Sequence, residues 1–548
     1  MAVFSPTDTI VAIATAPVRA GIGVVRISGP RALEVARAML AVAHDLAPRH
    51  ATLTHVRGTA AHRVASRIPP AAPKAPTAVG EASRGEGGSP ESAPWSHGPS
   101  SRNPASSPWS PGSSDPETSP IDEVIATYFP APHSYTVEDV VEISGHGSPA
   151  LLREILRVAI AAGARLAEPG EFTLRAFLNG RLDLVQAEAV GDLVDAATPL
   201  QARVAFDQLE GTLTRAIGSL DQALFDLAAR LEASVDSPDE GYHFVAPGKA
   251  AEALGRVREG IDALLATSAA GRVIREGRHI AILGKPNVGK SSLFNSLVGM
   301  DRAIVAAGPG TTRDMLHESI DLDGIRLGLV DTAGIRVSED EVEQEGVVRA
   351  RGAASAADLV ILVLDQSRPL EEVDRALLRE TAAAPRIVVI NKTDAPASWT
   401  PDGEAAGLGA WGLGIGRGEA GSLDPAGGRV ACGEPLGPRA PAQVVRTSLK
   451  SGEGLADLRA AMRDALEVAE PLRDAPMVTN VRHETLLRQA REAIGRALEN
   501  IEEAGESASE ELVLADIADA RRAFEEVTGK RTTEDVLRRI FEHFCIGK

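Results

Sequence analysis

The apolar-rich segments "DTIVAIATA" (Asp8–Ala16) and "GIGVVRISG" (Gly21–Gly29), set off by Pro17, Gly21 and Gly29, read as strands. "PRALEVARAML" between Pro30 and Leu40 switches to helical spacing. After a long gap the pattern returns as strands in "IDEVIATYFP" and "DVVEISGHG", then as a helix in "SPALLREILRVAIAAG". A small α+β domain over residues 1–179 is the expected result. From "RLDLVQAEAVGDLVDAA" to "LATSAAGRVIREG" the spacing is helical with few breakers, as it is again from Pro471 to Phe544. Between them, "HIAIL", "IRLGLVD", "DLVILVLD", "RIVVI" and "VVRTS" are strands alternating with helical segments. The prediction is a multidomain α/β protein in which a parallel α/β domain (278–470) interrupts an all-α domain (180–277 and 471–548).

Two stretches break the pattern. Residues 65–120 are rich in Pro, Ser and Gly, and residues 398–443 in Gly, Ala and Pro. The first cannot bury enough apolar surface to offset the entropy of ordering and is expected to be disordered, the second is of low complexity, and both are expected to be insertions without chemistry.

Composition narrows the class. The 548 residues are 44% hydrophobic but only 3% aromatic, so the cores must rest on Ala, Leu, Val and Ile. Two cysteines make no disulfide framework, and no run reaches a membrane span's length; the expectation is a soluble, cytoplasmic protein without a signal peptide. A net charge of −19 argues against general coating of nucleic acid, so any RNA must be met by a local patch or a partner.

The chemistry is concentrated in the α/β segment. "GKPNVGKS" (Gly284–Ser291) follows a strand and opens a helix, the context a phosphate loop requires. Its backbone N–H groups converge on phosphate oxygens, Lys290 reaches the β- and γ-phosphates, and the Ser291 hydroxyl ligates Mg²⁺. In "DTAG", Asp331 supports the metal and the Gly334 N–H meets the γ-phosphate; Thr311 and Thr312 of "GTTRD" lie between, with Thr312 offering a second hydroxyl to Mg²⁺. "NKTD" (Asn391–Asp394) follows a strand, and the Asp394 carboxylate can accept from guanine N1–H and its 2-amino group, donors that adenine lacks there. Four motifs in this order predict a GTPase. Ile335 stands where Ras-like enzymes carry a water-orienting Gln, so that role must come from elsewhere. Asn287 offers an oxygen to a monovalent cation, and Glu343 in "EDEVEQEG" is a candidate for orienting water, although such a charge run also reads as a solvated face.

"HFCIGK" (His543–Lys548) raises a separate question. Lys548 in last place argues against prenylation of Cys545, leaving a thiol with no role or a tail set into an active site.

The order "VVRISG", "EISGHG", "PGEFTLRAFLNGRLDLVQAEAV", a GTPase segment and "FCIGK" resembles the tRNA-modification GTPase family MnmE (TrmE). The resemblance implies an N-terminal folate-binding and dimerisation domain, a discontinuous helical domain and an inserted Ras-like P-loop G domain. It implies GTP contacts from Asn287, Val288, Gly289, Lys290, Ser291 and Ser292; from Ala306, Ala307, Gly308, Pro309, Gly310, Thr311 and Thr312; from Asp331, Thr332, Ala333 and Gly334; from Asn391, Lys392, Thr393 and Asp394; and from Ser448, Leu449 and Lys450. Potassium would meet Asn287, Ala306, Gly308 and Thr311, and Glu343 would position water. One-carbon tetrahydrofolate, as the 5,10-methylene or 5-formyl form, would meet Arg26, Glu142, Arg181 and Lys548. Arg26 and Lys548 suit its glutamate carboxylates and Glu142 the pterin N–H groups, with catalytic Cys545 beside it. The implied activity is modification of carbon 5 of wobble uridine in certain tRNAs, by a homodimer working with MnmG (GidA), a partner carrying FAD. The alternative is a regulatory, Era-like ribosome-assembly GTPase, which would not need the N-terminal domain or the tail.

Overall fold

The computed structural model describes residues 7–16, 18–42, 44–57, 120–235, 246–300, 319–329, 352, 357–399, 443–466, 476–505 and 508–547. They form two compact units, divided between Glu168 and Pro169.

The first unit is built on one sheet: β1 (Ile10–Ile13), β2 (Ile22–Ser28), β3 (Ala51–Arg57), β4 (Pro120–Phe129), β5 (Val140–His146) and β6 (Arg165–Leu166), in spatial order β3-β4-β5-β2-β1-β6. Helices α1 (Ala32–Met39) and α2 (Pro149–Ala161) contribute Val35, Ala36, Leu152 and Ile155 to a core shared with Val11, Val25, Ile27, Val141 and Ile143 of the strands. Burial alternates along most of β2 and β5, where fully buried residues are separated by half-buried ones. β3 is a strand the sequence pattern does not predict. It pairs antiparallel with β4, from Ala51 opposite Thr127 to Arg57 opposite Pro120. Pro120 therefore belongs to the sheet, and the stretch 58–119 joins the two strands of a hairpin.

The second unit begins with helices α3 (Glu171–Leu178), α4 (Leu184–Asp195), α5 (Pro199–Leu209), α6 (Thr212–Val235), α7 (Pro247–Ala266) and α8 (Ser268–Glu276). Capping boxes start two of them: Asp183 with Gln186 opens α4, and Thr198 with Gln201 opens α5. The chain then enters a second sheet, with β7 (Arg278–Leu283), helix α9 (Lys290–Met300), β8 (Ser319–Leu322), β9 (Ile325–Leu329), β10 (Leu359–Asp365), α10 (Glu372–Glu380), β11 (Arg386–Asn391), β12 (Gln443–Arg446) and α11 (Leu455–Ala465). The order is β12-β11-β10-β7-β9-β8, parallel except for β8, an antiparallel edge strand absent from the sequence prediction. β10 and β11 are buried along their whole length, as a sheet covered on both faces requires.

Ser398 and Trp399, assigned from composition to the second insertion, belong to this domain. Trp399 is buried against Leu364, Leu378 and Ile390, and its Nε1–H donates to Asp365 O at 2.9 Å.

The chain returns to the helical part in α12 (Val481–Ala504), α13 (Glu510–Thr528) and α14 (Glu534–Phe541). Leu213, Ile217 and Leu224 of α6 and Leu254, Val257 and Ile261 of α7 share one core with Leu487, Ala490 and Ile494 of α12 and with Ile517, Ala520 and Phe524 of α13. Alanines at 490, 493, 497, 520 and 523 keep the contacts small where the helices cross. One ionic group ties the two chain segments together. Arg482 Nε donates to Glu188 Oε1 at 3.0 Å, and its other nitrogens reach Glu188 Oε2 at 3.1 Å and the carbonyls of Glu526 and Val527. The His483 Nε2–H donates to Glu188 Oε2 at 2.7 Å. Burial works against the Glu188 carboxylate, but His483 and Arg482 overcome it and hold its pKa at about 2. Burial also pushes the His483 imidazole down, so it is neutral in the fold.

Candidate guanine-nucleotide site

β7 delivers the chain to the phosphate loop from within the sheet. At Gly284, φ is +146° and a Cβ would lie 2.5 Å from Val363 O, so only glycine lets the chain leave across β10 here. Asn287 is exposed and left-handed, with φ +64°. Lys290 Nζ donates back to Gly284 O at 2.8 Å and Lys285 O at 2.6 Å, and burial lowers its pKa. Ser291 and Ser292 are exposed in the first turn of α9, where N–H groups and the helix dipole favour an anion.

Three further segments converge on this loop. Asn391 Nδ2 donates to Val288 O at 2.8 Å, and Asn391 Oδ1 accepts from the Leu449 N–H at 3.3 Å, so one side chain spans the loop and the "SLK" turn. Asp394 is exposed and accepts from the Ser448 hydroxyl at 2.8 Å; that bond first, and Lys450 and Lys392 after it, hold its carboxyl below the usual range. The Thr393 N–H donates to Thr447 O at 3.2 Å. Lys392 Nζ pairs with Asp365 Oδ2 at 2.6 Å. Burial raises the Asp365 pKa, but bonds from Lys392 and Ser367 outweigh it and the net direction is down.

The close approach of Asn391 explains Gly289, where φ is +110° and a Cβ would collide with Asn391 Nδ2 and sit 3.2 Å from Leu449 Cδ1. Gly289→Ala is expected to weaken GTP binding about tenfold or more, since backbone strain of 1–3 kcal/mol must be met or Asn391 must leave Val288. Titration with a fluorescent GTP analogue measures this; unchanged affinity would show that the Asn391 contact does not shape the loop.

Sequence reasoning missed one contributor. Lys285 Nζ pairs with Asp374 at 2.6 Å and Glu371 at 3.2 Å, tethering the phosphate loop to the start of α10. Burial opposes its charge, yet the two carboxylates raise its pKa overall. A lysine between glycine and proline carries no signal for a partner so far along the chain.

The remaining expected contacts, Ala306–Thr312, Asp331–Gly334 and Glu343, lie outside the described residues, as does Lys548. Of the expected folate residues, Arg26 and Glu142 meet in the first unit, with Nε donating to Oε1 at 2.9 Å and the Tyr135 ring 5.4 Å from the Arg26 guanidinium. The pairing brings to one point two groups for which the resemblance implies opposite ends of the folate. Arg181 is exposed in the turn after α3, in the second unit. Cys545 is exposed too, and its carbonyl accepts from the Gly170 N–H at 3.4 Å. Phe541 and Phe544, with ring centroids 5.2 Å apart, pack against Gly170, and Phe544 also against Gly191. A cavity of about 510 Å³ opens beside them, lined by Glu188, Asp192, Arg482, Arg539, His543 and Cys545 among others.

Comparison with known proteins agrees with this architecture. The family model for the MnmE helical domain matches residues 184–545, and that for the GTP-binding protein TrmE N-terminus matches residues 9–76 and 99–181. Relatives named tRNA modification GTPase MnmE include one from Koribacter versatilis, 38% identical over 99% of each chain. Another, from Alkaliphilus metalliredigens, is 35% identical over 99% of each chain. A third, from Aquifex aeolicus, is 40% identical over 79% of this chain and 88% of its own.

Proposed function

The chain belongs to the MnmE family of tRNA-modification GTPases, and we propose that it hydrolyses GTP to drive modification of carbon 5 of wobble uridine in certain tRNAs. The observation that carries this reading is the match of 38% identity over 99% of both chains, which joins the guanine-nucleotide site to the N-terminal and helical domains.

In this reading Asp394, braced by Ser448, accepts from guanine, and Asn391 sets the distance between the base and the phosphate loop. Lys290 exchanges its two loop carbonyls for β- and γ-phosphate oxygens. The exposed hydroxyl of Ser291 suits Mg²⁺ and the exposed amide oxygen of Asn287 suits K⁺, both being hard oxygen donors. Together these cations neutralise charge on the phosphates. GTP-dependent approach of two G domains in a homodimer would then couple hydrolysis to the rest of the molecule.

The one-carbon tetrahydrofolate belongs to the first unit. Glu142 is placed to accept from pterin N–H groups, and Arg26, bonded to it and stacked on Tyr135, braces that carboxylate. The family resemblance also implies folate contacts from Arg181 and Lys548 and a role for Cys545. The flavin is supplied by an MnmG-type partner. No helix among the described residues is long and apolar enough to cross a membrane.

Nucleoside mass spectrometry of wobble uridines tests the reading. Deletion of the gene is expected to abolish the modification, the intact chain to restore it, and Lys290→Ala to fail. Unchanged modification in the deletion strain would leave a regulatory, ribosome-assembly GTPase instead.

A further inference from the structure

The "GHG" turn at the end of β5 holds a histidine that the nucleotide site does not use. His146 Nδ1 lies 2.7 Å from Asp122 Oδ1, and the His146 backbone N–H donates to Asp122 Oδ2 at 2.9 Å. A carboxylate can only accept, so the proton of this pair sits on Nδ1 and Nε2 is turned away from the aspartate. The two partners differ sharply in exposure: the His146 side chain is 70% exposed and that of Asp122 only 5%. A buried carboxylate therefore fixes the tautomer and direction of an imidazole that faces solvent.

Glycines flank the histidine, and the first of them is required by this arrangement. A Cβ at Gly145 would stand 2.5 Å from Asp122 Oδ2, and one at Gly147 would run into Ala20 O. Capping the strand end would need only the backbone bond, and any residue could provide that. The imidazole contact comes in addition to that bond and points to the ring itself.

Its place on the sheet relates it to the folate residues. Glu142 and His146 are both on β5, four residues or about 13 Å of extended strand apart, and their partners on β2 are Arg26 and Ile22. Ile22 is 66% exposed, so the stretch running from the Arg26–Glu142 pair toward His146 ends in an uncovered apolar side chain.

We propose that His146, aimed by Asp122, is the proton-transfer residue of the one-carbon site. The inference rests on the folate reading given above. In the transfer a bond would form between the one-carbon unit and carbon 5 of the uridine as a carbon–nitrogen bond of the folate breaks, and the electron pair of that bond would stay on the folate nitrogen. His146 Nε2–H gives that nitrogen its proton, and no oxidant or reductant takes part. Asp122 stabilises the imidazolium before transfer, and the ring recovers a proton from the solvent it faces.

The test starts with the unaltered full-length protein and 5-formyltetrahydrofolate. Binding is followed by calorimetry, and histidine carbethoxylation by diethylpyrocarbonate is read by mass spectrometry. Saturating folate is expected to cut the labelling of His146 at least about fivefold, while His279, on the G domain's first strand, keeps its own. Folate that binds without protecting His146 overturns this inference and leaves the folate reading standing. Folate that does not bind overturns both.

The second arm is His146→Gly, assayed for tRNA modification with the flavoprotein partner. Its rate is expected to fall about 100-fold or more, the usual size of general acid–base assistance, and added imidazole should restore at least tenfold of it. A wild-type rate overturns the proposal. So does a loss that imidazole leaves untouched, because that is the behaviour of a residue that only shapes the turn.

Discussion

Asp394→Asn is expected to weaken GTP binding on the order of 10³-fold or more and to admit xanthosine triphosphate in its place. The wild-type carboxylate presents two acceptors to guanine, whose N1–H and 2-amino group both donate. Asparagine turns one acceptor into a donor and sets it against a donor, whereas xanthine carries an oxygen in place of that amino group and accepts from it. Ser448 matters to the size of the effect: it bonds Asp394 Oδ1 at 2.8 Å and holds the carboxyl in one orientation and in its charged form. Competition binding with the two nucleotides decides it. A loss of GTP affinity below tenfold would mean that the base is read elsewhere.

Glu188→Ala is expected to destabilise the helical domain by about 3–5 kcal/mol, because it strands the Arg482 charge among buried groups. The same cluster sets an acid response. Glu188 has a pKa of about 2 in the fold against an ordinary 4.5, so its stabilisation is fully present above 4.5 and is lost as pH falls through about 2. That difference corresponds to about 3 kcal/mol. His483 acts in the same direction: neutral when folded, it takes up a proton on unfolding, so falling pH favours the unfolded chain through its window as well. Hydrogen exchange across Val481–Ala504, compared at pH 7 and pH 4 and below, should show protection falling steeply in the natural chain. Glu188→Gln should start lower and fall less. Equal slopes would remove Glu188 as the source.

The sequence made the nucleotide site legible because its motifs are local: each of "GKPNVGKS", "NKTD" and "SLK" lies within a few residues of a strand end. The bonds that join them are not local. Asn391 is 103 residues from Val288, and nothing near either residue announces the contact. The same holds for Glu188 and Arg482, which lie 294 residues apart and read, one at a time, as ordinary charges on helices. Local pattern also fails where a strand is short or half covered. β8 is four residues long, and in β3 only Thr54 and Val56 are buried, which gives too little alternation to stand out. Trp399 was lost to its neighbours, since a single aromatic at the edge of a Gly- and Pro-rich run does not shift the composition. Asp122 and His146 lie within recognisable strands, yet the pairing that gives them chemistry depends on the register of β4 against β5.

The helical core has a consequence for the chain as it is made. Its α6 and α7 faces, complete at Ala266, are covered by α12 and α13, which begin only at Val481. At about 5–20 residues per second, a ribosome needs roughly 10–40 s to cross the interval. Throughout that time Leu213, Ile217, Leu254 and Ile261 lack the cover of α12 and α13, while the G domain can already close around its own sheet. Synthesis thus produces the nucleotide switch before the frame that carries it, and a message broken before codon 481 would yield a G domain joined to an uncovered apolar surface.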